Sequence, residues 1–310
     1  MITTKNQRFV APEQWDAQIL FDHPAYRWLC AALPLTTQTN FPTPAVLTDW
    51  IQQLHPDRAV GFVDTATCQQ DPRYYEVFIA DTQKVPTRPD NWHDLFGACI
   101  WTLFPRSKQA LNQRHLSEIA LHGSKNRSPL RHQLTLFDEC GVLLLCPPDQ
   151  QDLVDALRAH QWQHAFWLQR DRWHHGSGVT PLIFGHANYE MLTRPFIGLT
   201  AKLWPLPVPT EFCDWPLPQQ LDFVDTALSK QIAEFTLTDF RQQMSPLPLL
   251  GIPGWYQDLQ TVTFYQDVSY FRPKRNHAPR LLLGYRFIGF NGHGPPFSQE
   301  KIISFLVNNP

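Results

Sequence analysis

The chain has 310 residues, enough to bury a large core without disulfides or metals to staple it. Hydrophobic residues make up 43% and charged residues 17%, a balance that excludes a disordered chain. With 26 Lys and Arg against 28 Asp and Glu, the net charge of -2 argues against a general nucleic-acid or membrane-surface binder.

Other classes fall away on local grounds. Met1 to Arg8 lacks the apolar stretch of a signal peptide, so a cytoplasmic location is expected. The longest aliphatic run, Val142 to Leu145, is far short of the roughly 20 residues a membrane helix needs. The six Cys form no CxxC pair and read as reduced thiols. Proline clusters at Pro205 to Pro218 and Pro246 to Pro253 alternate with Trp, Phe and Leu, which predicts ordered loops wrapping one body. A single domain over 1–310 is therefore expected, with 205–218 as its one weak boundary.

In chain order, Tyr74 to Ala80 reads as a strand. Asp90 or Asn91 can cap a helix whose apolar residues fall at Trp92, Leu95, Phe96, Cys99, Ile100, Leu103 and Phe104. Pro105 opens a second helix to about Leu121. Gln133 to Phe137 and Val142 to Leu145, around Asp138-Glu139-Cys140-Gly141, read as a hairpin. Helices are expected at Gln150 to His160 and Pro218 to Glu234. Strands are expected at Leu182 to Phe184, Leu199 to Trp204 and Leu281 to Phe290. Helices and strands do not alternate regularly, which points to an α+β fold with short strands.

Several polar groups stand out against this apolar frame. Lys108, Asn112 and His115 share one face of the second helix. Arg106, beside free first-turn amides, makes an anion seat for phosphate or carboxylate. His93 and Asp94 open the first helix, where Asp94 suits the helix dipole. Asp138 and Glu139, in the expected turn, can hold a divalent cation or act as acid and base. After Gly185 a helix start would set His186 and Glu190 one turn apart, as a metal-binding or acid–base pair. The histidines in His174-His175-Gly176-Ser177 and in Gly292 to Pro296 read as incidental. No P-loop, GxGxxG, HExxH or GxSxG motif is present.

These segments together resemble a bacterial family known only as a domain of unknown function, DUF3025. The likeness rests on Asn91-Trp92-His93-Asp94-Leu95-Phe96, on Phe104 to Asn112, and on Leu134-Thr135-Leu136-Phe137-Asp138-Glu139. It continues through Phe184-Gly185-His186, Glu190, Leu249 to Trp255 and Phe271-Arg272-Pro273. Gly97 and Cys140 depart from the family pattern, which has Asn at both places. The resemblance implies no activity. It does imply that the polar residues belong to one set, and buried polar groups are costly unless paired.

The expectation is therefore an enzyme that hydrolyses a small anionic substrate. His186, Glu190, His115 and Glu139 would be catalytic. Arg106, Lys108, Asn112 and His93 would bind substrate. Asp138, Glu139 and His186 would hold a divalent metal if one is used. The alternative is a non-catalytic binding protein whose polar cluster is a structural network. A nucleic-acid module built on Arg106, Lys108, Arg114, Lys125, Arg127 and Arg131 is disfavoured by the near-neutral charge.

Overall fold

The computed structural model describes residues 9–173, 178–256 and 259–274. Three helices come first: α1 (Gln18–Asp22), α2 (Arg27–Ala32) and α3 (Pro44–Leu54). Strand β1 (Gly61–Asp64) and strand β2 (Lys84–Thr87) pair in parallel around helix α4 (Tyr75–Thr82). Then come α5 (Trp92–Leu103), α6 (Pro105–His122) and α7 (Pro129–Cys140). The second half holds β3 (Gly141–Cys146), α8 (Gln151–Arg158), β4 (Thr180–Ile183), α9 (His186–Leu192) and β5 (Thr200–Pro207). It closes with α10 (Leu217–Glu234), α11 (Leu237–Gln243) and β6 (Ser245–Pro248). The larger sheet has the order β4-β3-β5-β6, with β3 and β5 parallel and both outer pairs antiparallel. The expected α+β class holds, with helix predominating.

The α5–α6 pair forms as its spacing predicts. Asn91 caps α5 by accepting a hydrogen bond from the Asp94 amide. Ten of the twelve residues of α5 are buried, all but Asp94 and Gly97, because apolar residues lie on every side of it. Trp92, Leu95, Phe96, Ile100 and Phe104 all lie in the core. Pro105 starts α6 without losing a needed donor, and Gly123 follows its end at φ 77°.

Two expected strands are helices. Tyr75–Thr82 is helical and ends at Gln83 in the left-handed conformation, φ 56°. Its β-prone residues yield to tertiary pairing, which draws Glu76 inward between His115 and Arg131. The expected hairpin is the helix α7 running straight into β3. Leu134 and Phe137 are fully buried while Leu136 between them is half-buried. That inward spacing of three residues belongs to a helix; a strand would bury Leu134 with Leu136. The start signal stands in the sequence as Ser128-Pro129: the Ser128 hydroxyl accepts from the Arg131 amide, and Pro129 takes the first helical position. Asp138 and Glu139 therefore sit in the last turn of α7. Strand β3 is buried along its whole length, since it has neighbours on both edges.

The segment 205–218 begins inside β5, where Pro205 and Pro207 pair with Leu144 and Cys146 of β3. Strand β6 covers β5 only from Thr200 to Leu203, so both prolines fall where no second ladder needs their amides. All six cysteines are unpaired. The expected strand at Leu281 to Phe290, the loop at His174 to Ser177 and the segment Gly292 to Pro296 lie outside the described residues. Among the described residues, no helix is long and apolar enough to cross a membrane.

Candidate metal centre

Helices α7 and α9 meet end to start. The Gly141 carbonyl accepts from the amides of Phe184, at 3.0 Å, and Gly185, at 2.8 Å. The Asn188 side chain donates to the Cys140 carbonyl at 2.9 Å. The approach is so close that a Cβ on Gly185 would lie 2.5 Å from the Glu139 backbone carbonyl oxygen and from the amide nitrogens of Cys140 and Gly141. Only glycine fits there, and this contact sets Glu139 beside His186. Helix α5 packs on the other flank of α9 through a stack in which Phe96 lies against both Tyr26 and Tyr189. The Tyr26 hydroxyl ties this stack down by donating to the Tyr189 carbonyl at 2.9 Å.

Three buried side chains from these three helices converge. His186 Nε2 lies 3.3 Å from Glu139 Oε2, and His93 Nε2 lies 3.7 Å from the same oxygen. The two imidazole rings stand edge to face with centroids 4.5 Å apart. One ligand atom from each of His93, Glu139 and His186 falls within 4.8 Å of the other two. His93 Nε2 and Glu139 Oε2 are buried and make no hydrogen bond among the described residues. Two ligands about 2.0–2.1 Å from one ion, at a tetrahedral angle, stand about 3.3–3.4 Å apart. The observed separations fit that spacing better than they fit a hydrogen bond.

Glu190 does not pair with His186, although both lie on α9. Its Oε2 meets His93 Nδ1 at 3.1 Å and so fixes the imidazole from behind, leaving Nε2 free to face Glu139. A carboxylate behind a histidine is the usual support of a metal-ligating imidazole. Burial by itself would lower the His93 pKa; the carboxylates of Glu139 and Glu190 outweigh it and raise it to about 9. Burial, with His93 and Lys108 nearby, pushes His186 well below its usual value, so its nitrogen is available as a ligand. Burial raises the Glu139 carboxyl above the usual range, against the pull of His93.

The other expected site residues form a polar wall beside this group. Asp138 is paired with the Lys108 ammonium at 2.5 Å, and it is His93 that joins Glu139 and His186 in the convergent group. Lys108 also lies over the Trp101 ring, 5.5 Å from its centroid. Asn112 is buried, and its Oδ1 makes no hydrogen bond among the described residues. His115 Nδ1 stands 3.6 Å from Glu76 Oε1, and burial lowers its pKa to about 4. Glu76 lies within Tyr74 to Ala80, whose β-prone composition masks its place at the start of α4. The signal for it is an acidic residue in a helix's first turn among aromatic neighbours.

Arg106 stands apart from the group. The anion seat at the start of α6 is filled from within the chain, because the Asp225 carboxylate accepts from the Arg106 and Ser107 amides and from the Ser107 hydroxyl. The Arg106 guanidinium turns outward to Asp222 at 2.7 Å. Asp94 pairs with Arg88 at 2.7 Å, in keeping with a structural role. Of the disfavoured basic set, Arg131 is fully buried, and Arg114 donates to the carbonyls of Ala233 and Phe235.

The family described as "Protein of unknown function (DUF3025)" matches residues 60–275. The chain belongs to this family. Its matched span carries the three convergent residues, His93, Glu139 and His186, and Glu190 behind His93. No curated protein and no solved structure matches the chain.

Proposed function

We propose that His93, Glu139 and His186 hold a divalent transition-metal cation and that this DUF3025 protein is a metal-dependent hydrolase acting on a small anionic substrate. The observation that carries the reading is the pair of orphaned buried atoms, His93 Nε2 and Glu139 Oε2, facing each other and His186 Nε2 at ligand spacing. Two imidazoles and one carboxylate favour zinc or another first-row ion over magnesium or calcium, which prefer all-oxygen sets. Such a cation supplies a Lewis acid for hydrolysis. Glu190 orients His93, and the buried Lys108–Asp138 pair borders the group, the Lys108 charge acting on His186. His115, neutral at ordinary pH, is the remaining candidate for proton transfer. The test is elemental analysis of the protein purified without added metal, repeated on His93→Ala and His186→Ala. One equivalent in the wild type and none in either variant supports the reading. Less than a tenth of an equivalent in the wild type, even after incubation with zinc, overturns it.

A second reading has its own observation. The positive charge of a protonated His93, hydrogen-bonded to Glu190 through Nδ1 and facing Glu139 through Nε2, can close the group as a buried ion network in a non-catalytic binding protein. In that case Glu139→Gln or Glu190→Gln would change stability and leave metal content at zero.

A further inference from the structure

Resting on the metal reading above, we infer that Gly97 is the specificity-determining position of the centre: its missing side chain leaves the slot through which a small ligand reaches the cation. Helix α5 is buried everywhere except at Asp94 and Gly97. Asp94 is accounted for by Arg88. Gly97 is a half-exposed glycine in the middle of a helix, a position that costs stability and has no turn or left-handed conformation to justify it. It lies one turn after His93, so it faces the same side of α5 as that imidazole.

The space beside Gly97 has a definite neighbour. Among the described residues, and leaving aside its own helix backbone and chain neighbours, a Cβ built on Gly97 would meet only the His186 ring, in ordinary van der Waals contact at 3.7 Å from Cδ2 and 3.9 Å from Cγ. Cδ2 is bonded to Nε2, the nitrogen that faces Glu139. The gap therefore opens on the side of the imidazole that carries the ligand atom. One turn further along the same face of α5 stands Trp101, with the Lys108 ammonium, itself paired with Asp138 at 2.5 Å, over its ring. The slot thus runs from the ligand set of His93, His186 and Glu139, across Gly97, to Trp101 and Lys108. A ligand that fits it is short, with an anionic group, such as a small carboxylate. Each added atom at position 97 shortens the slot from the middle, and the first of them makes only ordinary van der Waals contact with the His186 ring.

The test uses the full chain loaded with Co²⁺, whose visible absorption reports both the metal set and any anion that enters it. Acetate and benzoate serve as the probes. In the wild type both should perturb the cobalt spectrum. Gly97→Ala should leave the anion-free spectrum and cobalt content unchanged and weaken benzoate at least tenfold more than acetate. Gly97→Leu should abolish the response to both. If Gly97→Leu does not fold, Gly97→Ala decides alone, since its methyl makes only ordinary contacts. Unchanged affinity for both anions in Gly97→Ala overturns the slot while leaving the metal centre standing, as does a wild-type cobalt spectrum indifferent to both. A wild type that takes up no cobalt overturns the metal reading and this inference together, and the cobalt titration reads that outcome separately.

Discussion

Glu190 Oε2 stands 3.1 Å from His93 Nδ1, although the two residues are far apart in sequence and lie on different helices. The bond turns the other nitrogen of His93 toward Glu139 and His186. Replacing the carboxylate by an amide keeps the shape and removes the charge. Glu190→Gln should therefore lower zinc or cobalt affinity by about 10–100-fold, as loss of an orienting partner does elsewhere. Competition with a chromogenic chelator measures this. Wild-type affinity in that variant would sink the orienting role.

Asp225 closes the start of α6, accepting from two backbone amides and one hydroxyl while almost fully buried. Asp225→Ala leaves those donors without partners. The expected cost is about 2–4 kcal/mol, from the loss of a cap and of buried hydrogen bonds. Urea denaturation should show a lower midpoint with an unchanged slope. Asp222→Ala, which removes only the exposed partner of Arg106, should cost under about 1 kcal/mol.

His23 predicts a pH dependence remote from the site. Its Nδ1 accepts from the Ala25 amide at 3.2 Å, and its Nε2 donates to the Trp255 carbonyl at 2.8 Å, so the neutral ring is the one that fits. Burial, partly offset by the Trp255 bond, lowers its pKa from 6.5 to about 4. The unfolded chain then binds the extra proton first. Stability is full above pH 6.5 and falls as pH drops toward 4. Each such histidine contributes a slope of about 1.4 kcal/mol per pH unit in that window. His115 acts in the same sense over the same range. Urea midpoints measured at several pH values should show the fall, and His23→Gln should lose about one proton of it.

Phe96 lies at the centre of the stack that seats α9 on α5. Phe96→Ala should cost about 3–5 kcal/mol by transfer loss and cavity formation. Because the stack carries α9, metal uptake should fall with it. An unchanged thermal midpoint would show that the stack contributes nothing.

Pro205 and Pro207 belong to an inner strand that pairs with β3, and on that ground 1–310 should behave as one cooperative unit. Limited proteolysis should yield no two stable fragments divided within 205–218. A single unfolding transition seen by both tryptophan fluorescence and circular dichroism should accompany that result.

Local signals carried the helices α5, α6, α8 and α10, because capping residues, proline at a first turn and apolar spacing act over a few residues and need no partner. The buried set of His93, Asn112, His115, Glu139, His186 and Glu190 was legible as polar residues set in apolar segments, where only pairing or a ligand makes burial tolerable. Pairing itself was not legible. Helical spacing matches Glu190 to His186, yet α9 turns it to His93, because the contact of Gly185 with the end of α7 sets how that helix sits. Lys108 and Arg106 read alike as cations, but Asp138 neutralises one inside the fold and Asp222 holds the other at the surface. The same limit applies to Gln133 to Phe137 and Tyr74 to Ala80. Their β-rich composition is a weak preference of about 1 kcal/mol, and burial of Phe137 and Leu134 on one helical face outweighs it. Short-range order is written in neighbouring residues. The choice of partners among distant ones is made only when the helices pack.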